Sequence, residues 1–105
     1  MFPPVVNKII SAAKNDASIR ELYMFGSYAR GEATIFSDVD IAVIHNDVHE
    51  INRVALNEVA SRADEDVQFT YIQADVFDTD DHPLHVSSSI KREGICLWQK
   101  ETATL

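Results

Sequence analysis

The stretch from Met24 to Ile44 constrains the fold more than any other part of the chain. An apolar segment runs into Gly26-Ser27, a loop follows, and a second apolar segment opens with Asp38 and Asp40. The second segment continues as Ala42-Val43-Ile44, and such an apolar run suits a strand that is buried on both faces. The stretch therefore predicts two strands of a buried sheet, with two carboxylates at the start of the second strand.

Asp38 and Asp40 are separated by one residue, so in a strand their side chains point to the same face. Their backbone positions are then roughly 6–7 Å apart, and the two charges repel each other unless a cation lies between them. Mg²⁺ prefers oxygen ligands and often completes its coordination with waters and substrate phosphates. The pair is therefore a candidate metal site, although an isolated Asp-x-Asp is also typical of a solvated acidic turn.

Gly26 and Ser27 provide the second part of a candidate site. Glycine allows a sharp backbone turn and the close approach of another group. Ser27 is suited to cap a short helix over 27–30, whose first N–H groups would suit phosphate oxygens. Arg30, the one basic residue of the motif, could contact a phosphate or pair with a nearby acid. Because a Gly-Ser pair alone is usually a simple turn, the interpretation depends on its combination with the two aspartates.

The full pattern of Gly-Ser, ten residues and Asp-x-Asp extends without a gap from Gly26 to Asp40. This spacing resembles the nucleotidyltransferase superfamily that includes DNA polymerase β. The surrounding residues 25–33 and 37–43 look like those of the minimal nucleotidyltransferases (MNT proteins), small prokaryotic chains often encoded beside a HEPN-domain partner. The resemblance implies an α/β fold, a small mixed sheet with helices packed on one side. We expect residues 1–105 to form a single domain of this kind.

The resemblance also implies a chemistry and a role for each motif residue. Asp38 and Asp40 would hold two Mg²⁺ ions, and Gly26, Ser27 and Arg30 would bind the nucleotide. A hydroxyl would attack the α-phosphorus of a nucleoside triphosphate, and for MNT proteins the transferred group is AMP from ATP. Their acceptor is a tyrosine of a HEPN toxin. The chain is therefore expected to be an antitoxin with a HEPN-type or other helical partner protein.

One position departs from the superfamily pattern. Related proteins usually carry a third carboxylate on the next strand, where it helps to hold a metal and is credited with accepting the proton of the attacking hydroxyl. The matching residue is Gln68, whose neutral carbonyl oxygen cannot act as a base near neutral pH. Asp66 lies two residues earlier and would take this role if the strand began early or its register shifted.

Two other functions stay open on the sequence alone. The chain could be the catalytic subunit of a small-molecule nucleotidyltransferase whose substrate is held by a separate subunit. It could also be a degenerate, non-catalytic antitoxin that neutralises its partner by binding alone. Gln68 favours the binding-only function, whereas the intact pair of Asp38 and Asp40 favours catalysis.

The charge balance limits the partners that the chain is expected to bind. Acidic residues number 17 against 9 basic ones, a net charge of −8. Polynucleotide binding normally requires a basic patch, so we expect no direct nucleic-acid binding and instead a metal, a nucleoside triphosphate or a basic partner. The sequence has no long apolar segment and no signal-peptide pattern, which predicts a cytoplasmic protein that does not bind membranes. Composition does not distinguish a monomer from a homo- or hetero-oligomer.

Hydrophobic periodicity and turn residues predict that helices and strands alternate. The predicted helices are 3–15, the motif helix 27–30, one from a capping box at Asp47 and Glu50 to about 63, and 83–93; the predicted strands are 19–25, 38–45, 67–72 and 95–98. Segment 74–77 is ambiguous between helix and strand.

Three side chains outside the motif carry further expectations. Val54 is expected on the apolar face of the third helix, and Cys96, in an apolar run, is expected to be a buried small hydrophobe. His82 and His85 could share a metal, but no cysteine or third histidine stands near them in sequence. A solvated loop before a helix is therefore the favoured interpretation of these two histidines.

Overall fold

The computed structural model describes residues 2–46 and 51–101. Helices and strands in these ranges follow the order α1 (Val5–Lys14), β1 (Ile19–Phe25), β2 (Val39–His45), α2 (Arg53–Ser61), β3 (Val67–Gln73), α3 (Ala74–Thr79), α4 (Val86–Glu93) and β4 (Ile95–Gln99). The strands agree with the predicted ranges to within about one residue at each end. Within the described part of the chain, no helix has the length and apolar character that a membrane span needs.

The strands form one mixed sheet in the order β3-β2-β1-β4. Strand β1 is antiparallel to both β2 and β4, while β2 and β3 are parallel. A parallel pair needs a long crossover connection, and α2 lies in the connection between β2 and β3. As a consequence, the C-terminal end of β1 and the N-terminal ends of β2 and β3 lie at the same edge of the sheet.

The two central strands bury side chains on both faces of the sheet. Leu22 and Met24 of β1 belong to a core that includes residues of α1 and α2. Ala42 and Ile44 of β2 belong to a second core that includes residues of α3 and α4. The predicted mixed sheet is therefore confirmed. The prediction of helices on one side of the sheet is right for α1 and α2. It is incomplete because α3 and α4 contribute to the second core, and a strand that is apolar on both faces must be covered on each face.

Helix α2 begins later than the sequence suggested. The side chain of Asn52 accepts a hydrogen bond of 3.0 Å from the amide of Ala55 and caps the helix at its N-terminus. The predicted capping box of Asp47 and Glu50 lies outside the described residues. Downstream, the ambiguous segment 74–77 is helical within α3.

Two side chains that were expected to be buried are exposed. Val54 of α2 is 75% exposed, and Leu56 is buried in its place, because the core against which a short helix packs fixes its buried face. The prediction for Cys96 is also wrong: this free cysteine is exposed. The reason is topological, because among the described strands β4 pairs with β1 alone and forms an edge of the sheet.

Candidate active site

Three strands bring the motif residues to one edge of the sheet. Phe25, the last residue of β1, pairs with Asp40 of β2, and Asp40 in turn pairs with Gln68 of β3. Gly26 and Asp38 are the residues directly outside the paired segments of β1 and β2. The antiparallel pairing thus places the Gly-Ser turn beside the carboxylates at the start of β2.

Gly26 lies directly against the carboxylate of Asp40. Its φ angle is 73°, a conformation that residues with a side chain rarely adopt. A β-carbon at this position would overlap Oδ2 of Asp40 and lie 3.2 Å from Cγ of the same carboxylate. Glycine is therefore required here for two reasons, the backbone conformation and the space that the carboxylate occupies.

We expect Gly26→Ala to weaken MgATP binding far more than Gly31→Ala. Gly31 has a nearly identical φ of 72°, but apart from its two chain neighbours no other residue of the described chain has an atom within 4 Å of the β-carbon that alanine would add. Both variants should lose a similar ~1–2 kcal/mol of stability, as is typical of a left-handed alanine, whereas only the first displaces Asp40. Thermal melts measure the shared loss, and calorimetry with MgATP measures the difference. Equal weakening of binding in both variants would contradict the role given to Gly26.

The short helix predicted over 27–30 is a single hydrogen-bonded turn that does not continue. The amide of Arg30 donates a 3.2 Å hydrogen bond to the carbonyl of Gly26, and the amide of Glu32 donates a 2.9 Å bond to the carbonyl of Ser27. A second glycine with positive φ, Gly31, ends the helical geometry after a single turn. Ser27 consequently lies within a closed turn at the end of β1.

Asp40 carries a clear electrostatic signature. Burial raises the pKa of its carboxyl group, the charge of Asp38 raises it further, and the guanidinium of Arg30 lowers it. Because the charge of Asp38 disfavours the ionised form of Asp40, a divalent ion bound between the two carboxylates would remove this repulsion. Both donors are hard oxygens, so the pair fits Mg²⁺.

The pKa of Asp40 should respond in opposite directions to two neighbouring substitutions. Asp38→Asn removes a negative charge and should lower this pKa, whereas Arg30→Gln removes a positive charge and should raise it. A metal binds the ionised carboxylate, and the pKa of Asp40 is raised above the ordinary 3.8. Metal binding should therefore be lost as the pH drops through this raised pKa. In Arg30→Gln, where the pKa is higher still, the loss should occur at higher pH. NMR titration of the side-chain carboxyl carbon measures the shift. Shifts of the same sign in both variants would contradict this electrostatic arrangement.

Arg30 pairs with acidic side chains in this structure. Its Nε lies 3.2 Å from Oε2 of Glu32, and its Nη1 lies 4.0 Å from Oε2 of Glu93, at the end of α4. All three side chains are substantially exposed, so these pairs contribute little stability and can be exchanged for another anion. Of the two roles weighed for Arg30, the acid pair is present, while contact with a phosphate stays a prediction.

The register between β2 and β3 determines what lies beside the two aspartates. Gln68 is level with Asp40, whereas Asp66 precedes β3 and accepts a 2.7 Å hydrogen bond from the amide of Val39 through its backbone carbonyl. Among the described residues, no three His, Cys, Asp or Glu side chains come close enough together to hold a metal. The candidate oxygen ligands at this edge are therefore the carboxylates of Asp38 and Asp40 and the neutral amide of Gln68, which is level with Asp40. Waters and phosphates would have to supply the other ligands of a Mg²⁺ ion.

The histidine pair before α4 forms a separate, exposed cluster. The rings of His82 and His85 stack with their centroids 4.3 Å apart, and Nδ1 of His85 lies 2.9 Å from Oδ2 of Asp80. Nδ1 of His82 accepts a 3.2 Å hydrogen bond from the amide of Leu84. The hydrogen bond from the His82 amide, and after it the hydrogen bond with the His85 ring, lower the pKa of the Asp80 carboxyl group. The cluster therefore organises the loop before α4, in line with the favoured interpretation.

The loop between the Gly-Ser turn and Asp38 carries apolar side chains for which no role was predicted. Ile35 and Phe36 lie in this loop and are 92% and 88% exposed. The signal was available in the sequence as two adjacent large apolar residues outside any predicted helix or strand. The interaction of Arg30 with Glu93 carried no such signal, because it depends on how α4 packs against the sheet.

Comparisons with known proteins agree with this geometry. The family model described as polymerase beta, nucleotidyltransferase, matches residues 7–103. The chain is similar to a solved toxin–antitoxin structure with AMP-PNP, at 28% identity over 91% of this chain and 74% of the other, with a TM-score of 0.64. It is also similar to a point mutant of the toxin–antitoxin MntA-HpeT, at 30% identity over 90% and 72%, with a TM-score of 0.59.

A third solved structure adds a named complex. This structure is that of a tri-AMPylated Shewanella oneidensis HEPN toxin in complex with MNT antitoxin. The chain is similar to a chain of that complex at 25% identity, over 91% of this chain and 71% of the other, with a TM-score of 0.55. Comparison with curated proteins gave no match.

The mixed sheet and the edge where Gly-Ser meets Asp-x-Asp define a polymerase β-like nucleotidyltransferase fold. With the family match over nearly its whole length, the chain belongs to the polymerase beta nucleotidyltransferase family. Its structural similarity to MNT antitoxins identifies it, within that family, as a minimal nucleotidyltransferase.

Proposed function

We propose that this chain is an antitoxin that transfers AMP from ATP to a hydroxyl of a partner protein, a HEPN-type toxin. The observation that carries the proposal is the contact of Asp40 with Gly26 at one edge of the sheet, with Asp38 two residues away in the same chain segment. Similarity to chains from a complex with AMP-PNP and from a complex with an AMPylated HEPN toxin supports both the nucleotide and the kind of acceptor.

In the proposed reaction, an acceptor hydroxyl oxygen forms a bond to the α-phosphorus while the bond between that phosphorus and the bridging oxygen breaks. Pyrophosphate leaves, and AMP remains on the acceptor. Asp38 and Asp40 would hold Mg²⁺, which when bound neutralises charge on the attacking and leaving oxygens. Gly26 leaves room for Asp40, and the turn that contains Ser27 and Arg30 would bind the terminal phosphates.

The proton of the hydroxyl needs a destination, and this edge of the sheet offers a poor one. Gln68, level with Asp40, is a neutral amide and cannot accept it. An acceptor whose own pKa is moderate reduces the demand for a base, and tyrosine, at about 10, is far more acidic than serine or threonine. A tyrosine that delivers its proton to solvent is therefore the acceptor that suits this site.

A protein acceptor also fits the charge of the chain. The net charge of −8 disfavours the approach of polynucleotides. The edge that carries the aspartates is partly open, since Asp38 is exposed and Asp40 is half-buried, so a docked protein would align the hydroxyl with the nucleotide. A partner that inserts a tyrosine would supply closure and nucleophile together.

Co-expression with a HEPN-type partner, followed by intact mass measurement of that partner, tests the proposal. We expect the partner to gain whole AMP units with the wild type and none with Asp38→Ala/Asp40→Ala. A partner that is bound and silenced equally by both forms, with no added mass, would replace the proposal with the binding-only function. Absence of any association would favour a small-molecule nucleotidyltransferase instead.

The binding-only antitoxin is a second candidate because of one specific observation. The register pairs Asp40 with Gln68, so the position level with the second aspartate is neutral in this chain. A site with two carboxylates should hold Mg²⁺ less tightly than one with three, since each charge adds to the attraction. Wild-type protein that silences its partner without Mg²⁺ or ATP would favour this candidate.

A further inference from the structure

The turn before Asp38, residues 34–37, presents two apolar side chains to solvent on a fixed backbone. The amide of Ser37 donates a 3.1 Å hydrogen bond to the carbonyl of Thr34, and the amide of Thr34 donates a 2.8 Å bond to Oγ of Ser37. A third bond of 3.2 Å joins the amide of Phe36 to Oγ1 of Thr34. Ile35 and Phe36 are consequently held at the tip, 92% and 88% exposed. We name residues 34–37 the tip turn.

An open groove of about 670 Å³ continues from the tip turn across the neighbouring surface. Thr34, Ile35 and Tyr28 line one part of it, and Asp64 and Glu65, in the loop between α2 and β3, line another. The surface therefore combines apolar side chains with two carboxylates. Its natural complement has an apolar recess beside lysine or arginine side chains.

We infer that the tip turn is the docking contact for the acceptor protein, whose matching surface is apolar with basic residues at its rim. The inference rests on the proposed function and adds the surface by which the acceptor is held. Only Ser37 separates Phe36 from Asp38, so a protein seated on the tip turn lies next to the candidate metal site. The hydrogen bonds within the turn fix its backbone before binding, which reduces the ordering required when a partner docks.

Charge argues for a basic protein over the other occupants of an apolar tip. Asp64 and Glu65, together with a net charge of −8, repel an anionic membrane. A second copy of this chain would bring the same carboxylates to the interface, and like charges there oppose association. A partner with basic residues turns the same charges into an attraction.

The test compares Ile35→Ser/Phe36→Ser with Leu84→Ser in binding to the purified HEPN-type partner. Leu84 is 87% exposed and lies in the loop before α4, so it controls for the loss of exposed apolar surface as such. We expect the tip variant to bind the partner at least about tenfold more weakly, as is typical of central interface residues, and the Leu84 variant to bind as the wild type does. Melting temperatures should stay equal, since these side chains are exposed. Unchanged partner binding in the tip variant, or an equal loss in Leu84→Ser, overturns the inference.

Two further measurements separate the tip turn from other roles. MgATP binding to the tip variant should be unchanged, and a parallel loss of MgATP binding would overturn the inference in favour of a nucleotide contact. Asp64→Lys/Glu65→Lys should weaken partner binding and reduce its dependence on salt. Tip-dependent binding of the wild type to phosphatidylcholine–phosphatidylserine vesicles would also overturn the inference.

Failure of the proposed function would look different from failure of this docking surface. If the partner binds through the tip turn but gains no AMP, the proposed transfer reaction is refuted and the docking surface is supported. If the partner gains AMP equally with the wild type and the tip variant, the docking surface is refuted and the proposed transfer reaction is supported. Intact mass of the partner, measured on the same samples, distinguishes the two.

Discussion

Replacing both Asp38 and Asp40 by asparagine is expected to abolish Mg²⁺-dependent ATP binding and to slow nucleotidyl transfer by at least ~10²–10³-fold, the usual loss for one preorganised electrostatic group. Asparagine keeps the shape of each side chain but removes the negative charge that holds a hard cation. Calorimetric titration of ATP with and without Mg²⁺ measures binding, and intact mass of the partner over time measures transfer.

Stability provides an internal control for this double variant. Because the charge of Asp38 disfavours ionisation of Asp40, removing both charges should leave the melting temperature unchanged or slightly higher. Asp81→Asn, which neutralises an exposed acid in the loop before α4, should bind MgATP as the wild type does. Equal heats of ATP binding for the wild type and the double variant, with Mg²⁺ present, would refute the metal site.

Introducing a carboxylate at Gln68 is expected to accelerate transfer, by up to the ~10²–10⁴-fold that general-base catalysis typically contributes. Gln68 is level with Asp40 in the parallel register, so an acid there would add both a metal ligand and a proton acceptor. Gln68→Glu keeps the side-chain length, and Gln68→Asp shortens it, so the pair of variants separates charge from reach. Single-turnover transfer rates at saturating MgATP measure the effect.

Asp66 provides the matched comparison for Gln68. It precedes β3 and contacts β2 through its backbone carbonyl, so Asp66→Ala should change the transfer rate little. Loss of transfer in Asp66→Ala, together with no gain in Gln68→Asp or Gln68→Glu, would show that Asp66 is the third ligand. Should no form transfer AMP while all silence the partner, the binding-only function would stand.

The sequence by itself determined the central strands and the residues between them. The apolar run over 41–44 predicted β2 to within one residue, because a strand buried on both faces leaves a continuous apolar signal. The glycine at position 26 was read as a sharp turn with close approach of another group, and the contact with Asp40 is such an approach. Local patterns sufficed for the ranges of the strands, which they predicted to within about one residue.

Helix geometry was less accessible from the sequence. The short motif helix predicted over 27–30 is a single hydrogen-bonded turn, which lies between two glycines with positive φ, Gly26 and Gly31. Val54 was placed on the wrong face because a short helix is oriented by the core on which it packs, and Leu56 fits that core instead. Propensity and periodicity are weak guides when packing decides.

Only the tertiary structure decided which groups meet across strands. Gln68 is level with Asp40 because of the parallel register of β2 and β3. A shift of this register by one residue would have moved the amide of Gln68 to the opposite face of the sheet. Cys96 is exposed because β4 lies at the edge of the sheet. The apolar residues beside Cys96 in the sequence could not indicate this position. A sequence records which side chains a strand carries, whereas the pairing and order of strands, set by contacts between distant segments, determine what those side chains face.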